Sequence, residues 1–529
     1  MALHRHRILS AVLGVLAWSG GAFAADEDIV YTARPGDTLI GLQKQLLAAP
    51  FGWKGVMLHN RIAEPRRIPT GTQVRIPEAW LRVEARSAQV VGVHGEATLN
   101  GRPLALEDQV PPGAVLRTGS ASFVTLRMPD ESRLTLQPDS EARLEKIQGF
   151  AGLTGQTAQI HLERGRIENT VAAQRGPAAR YRIRTPSASV SVRGTEFRVG
   201  SDGTDGRARA EVTGGEVRVG AEAGPATAVA MGFGVTAEPG GGVQPPQALL
   251  PAPALEGLAT VHERTAVEIT LRPVDKAVAY RAQLARDAAF TDVVTEAVSP
   301  APPVRLENVP DGRLWVRVRA IDAAGLEGFD TQRALEVRAR PVPPDAAGPL
   351  AGAAFVGGPV HFEWTPVADA PGYRFQVLRR AAPEVPLIDR EVVTPGIDLT
   401  LPRGEFRWRV ATLKPAGGQG PWGDARALAV TRPIGVPTVR RYNDRLRFEW
   451  SGDDGQIYDF QLARDAGFGD LVVNQRLGEA AITVPVPAGG RYFVRVRGTD
   501  AQGAASPYTP VQVLYRLPLL MWTLSNAAP

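Results

Sequence analysis

The chain has 529 residues, with 60 Lys+Arg against 55 Asp+Glu and a formal net charge of +5. A balance this close to neutral, with only five lysines and no basic cluster, excludes a nucleic-acid-binding surface. There is no cysteine, which excludes disulfides, a thiol nucleophile, thiolate metal ligands and a lipoprotein anchor. The 44 prolines and 56 glycines suit many short strands joined by turns and predict several domains rather than one.

In chain order, His4–Arg7 is a positive start, Ile8–Trp18 an apolar run and Ala22-Phe23-Ala24 a cleavage-type ending, so residues 1–24 are expected to be an export leader. The run is too short to span a bilayer, and no later stretch is long and apolar enough to do so. Leu517–Leu524, interrupted by Pro518, is expected to be a packed C-terminal strand. The mature chain is expected to start at Ala25, exported, with the periplasm as its place.

Val30–Pro77 reads as a strand, two short helices and a returning strand. Val30 and Thr32 lead into the Pro35-Gly36 turn, and Asp37 or Thr38 caps a helix carrying Leu39, Leu42, Leu46 and Leu47 on its apolar face. Pro50 and Gly52 break it. Trp53, Val56, Met57 and Leu58 form a second helix ending at Asn60, and Val74 and Ile76 share one face of the return strand. Trp53 is assigned to core packing rather than to a sugar platform. From Ala88 to Val235 the pattern is β. Val124, Leu126 and Met128 alternate on one face; a bulge at Gly194 is expected to restore register between Val190/Val192 and Phe197/Val199; Glu211–Val219 reads as a hairpin around Gly214-Gly215. Residues 239–254, rich in Pro and Gly, read as a linker.

A repeat follows. Tyr280-x-x-Gln283 recurs as Tyr373-x-x-Gln376 and Tyr458-x-x-Gln461, at spacings of 93 and 85 residues. Leu271, Trp364 and Trp450 precede them, and Val316/Val318, Trp408/Val410 and Val494/Val496 follow. Arg317 and Arg319, Arg407 and Arg409, and Arg495 and Arg497 are read as the wet face of these alternating strands.

These patterns carry resemblances. Pro35-Gly36-Asp37-Thr38-Leu39, Asn60 and the Ile68-Pro69…Ile76-Pro77 ending resemble a lysin motif (LysM). Thr185-Pro186, the Val192–Val199 core, the Gly-Glu-Val turn and Leu162–Ile167 resemble a FecR-type domain, although Glu131 stands where that family commonly has glycine. The repeats resemble fibronectin type III domains, and an immunoglobulin-like sandwich satisfies the same pattern. The expected fold class is therefore mainly β and multi-domain: a small βααβ LysM module (28–80), a β-rich FecR-like domain (85–238), the linker (239–254) and three β-sandwich repeats (255–340, 345–432 and 436–517).

The LysM resemblance implies a ligand, peptidoglycan or another N-acetylglucosamine-containing glycan. It also implies a groove between Gly36, Asp37, Thr38 and Leu39 on one side and Arg67, Ile68 and Pro69 on the other, with Leu39 and Ile68 covering the sugar. Asp37 has a competing role as cap, and Gly36 and Gly71 suit turns. Arg66 and Arg67 read equally as a solvated pair or as an attraction for wall carboxylates. No catalytic motif appears. His59, His94, His161, His262 and His361 lie in separate elements; Ser-x-x-Lys and Gly-x-Ser-x-Gly do not occur. No metal or cofactor is expected. The expected function is a non-enzymatic peptidoglycan tether carrying a β-built interaction arm, with an envelope protein as a further partner. The alternative is an envelope sensor acting through the FecR-like domain and a membrane partner; a wall hydrolase stands third.

Overall fold

The computed structural model describes residues 28–173, 175–203, 206–221, 225–452, 455–499, 505–516 and 522–526; the expected leader, 1–24, lies outside them. The chain is mainly β, with a small helical part near its N-terminus. It divides into two compact units, one running to His262 and including Ala266–Val337, the other formed by Glu263–Thr265 with Arg338 onward.

The first unit opens with β1 (Asp28–Thr32), α1 (Leu39–Leu46), α2 (Trp53–Asn60) and β2 (Gln73–Pro77). β1 and β2 pair antiparallel with Ile29 opposite Ile76 and Tyr31 opposite Val74. All four side chains point into one core with Leu39, Leu42, Leu46 and Val56. Thr38 is the helix cap, accepting the Gly41 N–H at 3.0 Å. Asp37 instead closes the preceding turn, accepting from Arg34 N–H at 2.6 Å and Tyr31 O–H at 2.7 Å. Asn60 ties α2 to β2: its amide donates to the carbonyls of Val56 (2.9 Å) and Arg75 (2.6 Å), and its oxygen accepts the Arg75 N–H at 2.6 Å. Asn60→Ala removes all three bonds and leaves the Arg75 groups to solvent. It is expected to destabilise the unit by about 1–3 kcal/mol, read from urea unfolding.

From Val83 to Ala248 the strands close into a barrel built around one long strand, Thr157–Thr170. Its first half pairs with Glu141–Phe150 and with Arg180–Arg184; its second half pairs with Arg133–Leu136 and Glu196–Ser201. One strand thus belongs to both sheets, and Leu144, Ile160, Ile167, Ile183 and Val199 meet in a single core.

Two expectations are corrected here. Gly194 (φ +84°) is not a bulge within one strand. Ser189–Val192 pairs in one sheet and Glu196–Ser201 in the other, so Gly194 is the corner where the chain changes sheet. A Cβ there would lie 2.8 Å from Cα of Ala173. Nor do Ala208–Gly214 and Glu216–Gly220 form a hairpin: the first pairs with Phe233–Glu238 and the second with Thr227–Ala230. Gly215 (φ +80°) is a second corner packed on the first, since its Cβ would stand 2.6 Å from Thr195 Cγ2. A β-carbon fits at neither corner, which is why glycine occupies both.

Residues 239–254, expected as a linker, are knitted into the fold. Gly242–Val243 and Gln247–Ala248 pair with Phe233–Glu238, and the Leu250 carbonyl accepts the Phe329 N–H at 3.0 Å.

The first sandwich copy completes this unit, with Val267–Ile269 and Val304–Leu306 in its small sheet and Ala279–Ala285, Val293–Ser299, Gly312–Ile321 and Thr331–Val337 in its large one. The second unit holds two further copies of the same design. Trp364 stacks on Phe375 and meets Tyr373 edge-on; Trp450 repeats this with Phe460 and Tyr458. Leu271 fills the corresponding place in the first copy. Tyr492 donates to the Ala488 carbonyl at 3.0 Å, the corner bond expected of a late tyrosine in such sandwiches. Of Leu517–Leu524, residues 517–521 lie outside the described residues; Trp522–Asn526 is a strand on Gln512–Arg516.

The repeated glutamines have a structural reason. Gln283, Gln376 and Gln461 lie directly across from Arg317, Arg409 and Arg495, whose Nε atoms donate to the glutamine oxygens at 2.8, 3.0 and 2.8 Å. Each guanidinium also lies over an aromatic ring, Phe290, Trp422 and Phe468, at 4.3, 4.4 and 3.9 Å. The stacking holds the guanidinium plane while the glutamine fixes its position along the strand.

Candidate functional site

The loops expected to bound a glycan groove are adjacent, joined by the Leu39 N–H donating to the Pro65 carbonyl at 2.9 Å. Gly36, Arg67 and Pro69 are exposed and Asp37 and Thr38 half-buried. Leu39 and Ile68 are only 1% and 6% exposed. They face inward and support the walls, so any ligand there meets backbone groups, the exposed turn residues and Arg67. Arg66 is exposed as well, and Trp53 packs half-buried against the core.

This module is fastened to the β-domain. Phe150 and Ala178 of the β-domain belong to the module's own core. Glu78 accepts from Lys146 and Gln148 at 3.1 Å each and from Arg180 at 3.3 Å, while Arg180 also donates to the Asp28 carbonyl at 2.7 Å. Beside β1 this packing leaves a cleft of about 530 Å³, walled by Val30–Pro35 on one side and by Gly152–Thr154 with Pro177 on the other.

On the opposite flank lies the feature that the sequence concealed. Arg317 and Arg319 do not face water. Arg319 is 1% exposed, because the outer face of its sheet is covered by the barrel. Its guanidinium bonds Glu168 of the long barrel strand at 2.6 Å, Glu327 at 2.8 Å and Asp330 at 2.6 Å; Arg317 pairs with Glu168 too. From the barrel, Arg166 reaches Glu327 (2.8 Å) and Glu296 (3.1 Å). Arg198 reaches Asp330 (3.1 Å) and the carbonyls of Glu327 and Gly328 at 3.0 and 2.9 Å. Arg281 closes the lattice on Glu296 and Glu327 at 2.6 and 2.9 Å. An apolar patch of Phe123, Ala285, Phe290, Val293 and Trp315 lies alongside, which is why Phe123 is buried although Val124, Leu126 and Met128 face the barrel core.

The carboxylates answer to this setting in opposite ways. Burial raises the Glu168 and Glu327 carboxyls, but the surrounding arginines overcome it and hold both well below the usual range. Glu211 lies in the same region, its oxygen accepting the Glu327 N–H at 3.3 Å. Burial, reinforced by the Glu327 charge, pushes it up to about 7. The arrangement offers no nucleophile beside a base; its chemistry is to fix one domain on another. Among the described residues no group of three or more histidine, aspartate or glutamate side chains is placed to hold a metal ion, and no helix is long and apolar enough to cross a membrane.

No curated protein matches the chain. A crystal structure of a protein assigned as an anti-sigma factor from Parabacteroides distasonis is similar over 25% of this chain at 17% identity, with a TM-score of 0.22. This chain spans 59% of that protein's length. The FN1–FN3 domains of chicken CNTN1 are similar over 53% of this chain and 99% of theirs (13% identity, TM-score 0.19). Fibronectin(III)-like modules of Clostridium thermocellum CbhA cover 31% of this chain and 89% of their own (14% identity, TM-score 0.19). The family described as FecR protein matches residues 114–218, so the barrel, with the long strand and both glycine corners, carries a FecR domain.

Proposed function

We propose that this protein is a non-catalytic sensor or relay of the bacterial envelope, working through its FecR domain and an envelope partner protein. The FecR match at 114–218 carries this reading. The architecture around it is consistent: the domain is held on one flank by the βααβ module and on the other by the arginine–carboxylate lattice, so a load or ligand on either flank is passed to a rigid neighbour. The reading takes the chain to be exported and to need no cofactor. The test is affinity capture from detergent-solubilised envelopes, with the whole mature protein as bait. One stoichiometric integral-membrane partner is expected, lost when exposed FecR-domain residues such as Arg143 and Arg184 are reversed in charge. Absence of such a partner refutes the relay.

A second reading, a peptidoglycan tether, is favoured by the β1–α1–α2–β2 arrangement and by the exposed Gly36, Arg67 and Pro69 at its loop ends. Deleting the module would strip Phe150 and Ala178 of their cover, so surface substitutions are the cleaner probe. Arg67→Glu with Pro69→Arg is expected to lower co-sedimentation with purified peptidoglycan about tenfold. Equal pelleting of variant and parent refutes the tether.

A further inference from the structure

We propose that the outer edge of β1 is a docking site for an extended peptide, which adds a third strand to the β1–β2 sheet inside the cleft shared with the FecR-bearing barrel. This goes beyond both readings above, since it concerns neither the glycan loops nor the arginine lattice.

β1 and β2 form a two-stranded sheet, so among the described residues one edge of β1 carries no partner strand. The direction of the backbone groups follows from the pairing. Ala33 exchanges bonds with the β2 side, donating to the Thr72 carbonyl and accepting from Gly71 N–H at 2.9 and 2.8 Å. Groups alternate along an antiparallel strand, so Ile29 and Tyr31 also turn toward β2, and residues 28, 30 and 32 turn outward. Arg180 confirms this at one position: it reaches across from the barrel and takes the outward Asp28 carbonyl at 2.7 Å. The next two outward residues, Val30 and Thr32, open onto the cleft instead. An edge of this kind presents a row of N–H and C=O groups ready for another strand.

The far wall makes the edge a site rather than a bare margin. Leu153 and Pro177 supply apolar surface, and Gly152 is exposed beside them. A volume of about 530 Å³ lies within the usual range of ligand sites. Because the module and barrel share Phe150, Ala178 and the Glu78 bonds, the cleft is already formed before a ligand arrives. Arg34 is the charged side chain at its rim. The fitting ligand is therefore an extended peptide with a small or β-branched residue against Leu153 and an acidic residue at the Arg34 end.

The probe is a fluorescein-labelled heptapeptide of alternating valine and threonine ending in glutamate, titrated into the whole mature protein and followed by anisotropy. Saturable binding is expected, on the order of 100 µM, with slowed hydrogen exchange at Thr32. Thr32→Pro removes an outward N–H at an edge position that tolerates proline and is expected to weaken binding about tenfold. Thr154→Arg, at an exposed position of the opposite wall, is expected to do the same without changing β1. Arg67→Glu, at the glycan loops, is expected to leave peptide affinity unchanged. No saturable binding by the parent protein, or equal affinity in the parent and both cleft variants, overturns the proposal.

Discussion

Replacing Arg319 by alanine is expected to destabilise the joint between the FecR domain and the first sandwich by about 3–5 kcal/mol, the cost of breaking a buried ion network by removing one partner. The guanidinium is shared by Glu168, Glu327 and Asp330, and all three carboxylates would remain in place without it. Glu168 would keep Arg317, and Glu327 would keep Arg166 and Arg281, so the loss falls below that of three independent pairs. Hydrogen exchange along Gly312–Ile321 and Gly165–Thr170 reads the effect: protection in both strands should fall together, while the Trp364 and Trp450 sandwiches keep theirs. Arg497→Ala offers the contrast. Arg497 pairs with Asp459 at 2.9 Å but is 39% exposed on its side chain, so its loss is expected to cost about 1 kcal/mol or less. Similar costs at the two positions would show that the Arg319 lattice is not the joint.

That contrast shows where the sequence stops being informative. Arg317/Arg319 and Arg495/Arg497 have the same spacing, the same alternation with valine and the same glutamine across the strand. Alternation reports that a residue points away from its own core; it does not report what lies on the other side. In the first copy the covering surface is Glu168, about 150 residues upstream, so no local window contains both halves. The glycine corners are similar. Gly194 and Gly215 are visible as breaks in the pattern, but whether the strand resumes in the same sheet or in the opposite one depends on which strands lie nearby. The elements governed by local chemistry were legible: a helix cap at Asp37 or Thr38, the end of α2 at Asn60, the shared face of Val74 and Ile76, and the recurrence of the Trp and Tyr strands in the repeats. The expected groove was legible only as loops. Leu39 and Ile68 were read as ligand-facing because they sit in those loops, whereas the small module needs both for its own core.

Raising the pH from 5 to 8 is expected to weaken the same joint, and Glu211→Gln is expected to abolish that weakening. The Glu211 carboxyl is pushed up to about 7 by burial and by Glu327, above the usual value for an unfolded glutamate, near 4.3–4.5. A group whose folded value is raised contributes stability that is present below its unfolded value and is lost as the pH climbs through the folded one. The loss therefore runs from about pH 4.5 to 7 and amounts to about 3–4 kcal/mol at most, since each unit of difference is worth about 1.4 kcal/mol. Glu168 and Glu327 act with the opposite sign. Their folded values are depressed by the arginines around them, so their contribution is present above the unfolded value and is lost as the pH falls below about 4.5. The joint should be firmest near pH 4.5, where the two limbs meet. Glutamine at 211 keeps an oxygen to accept the Glu327 N–H and cannot ionise, so its stability curve should stay level from pH 5 to 8 while the acid-side loss remains. Hydrogen exchange at Glu327 and Gly328, corrected for the intrinsic pH dependence of the amide, separates the two limbs. A falling curve in the variant as steep as in the parent protein would assign the alkaline loss to another group.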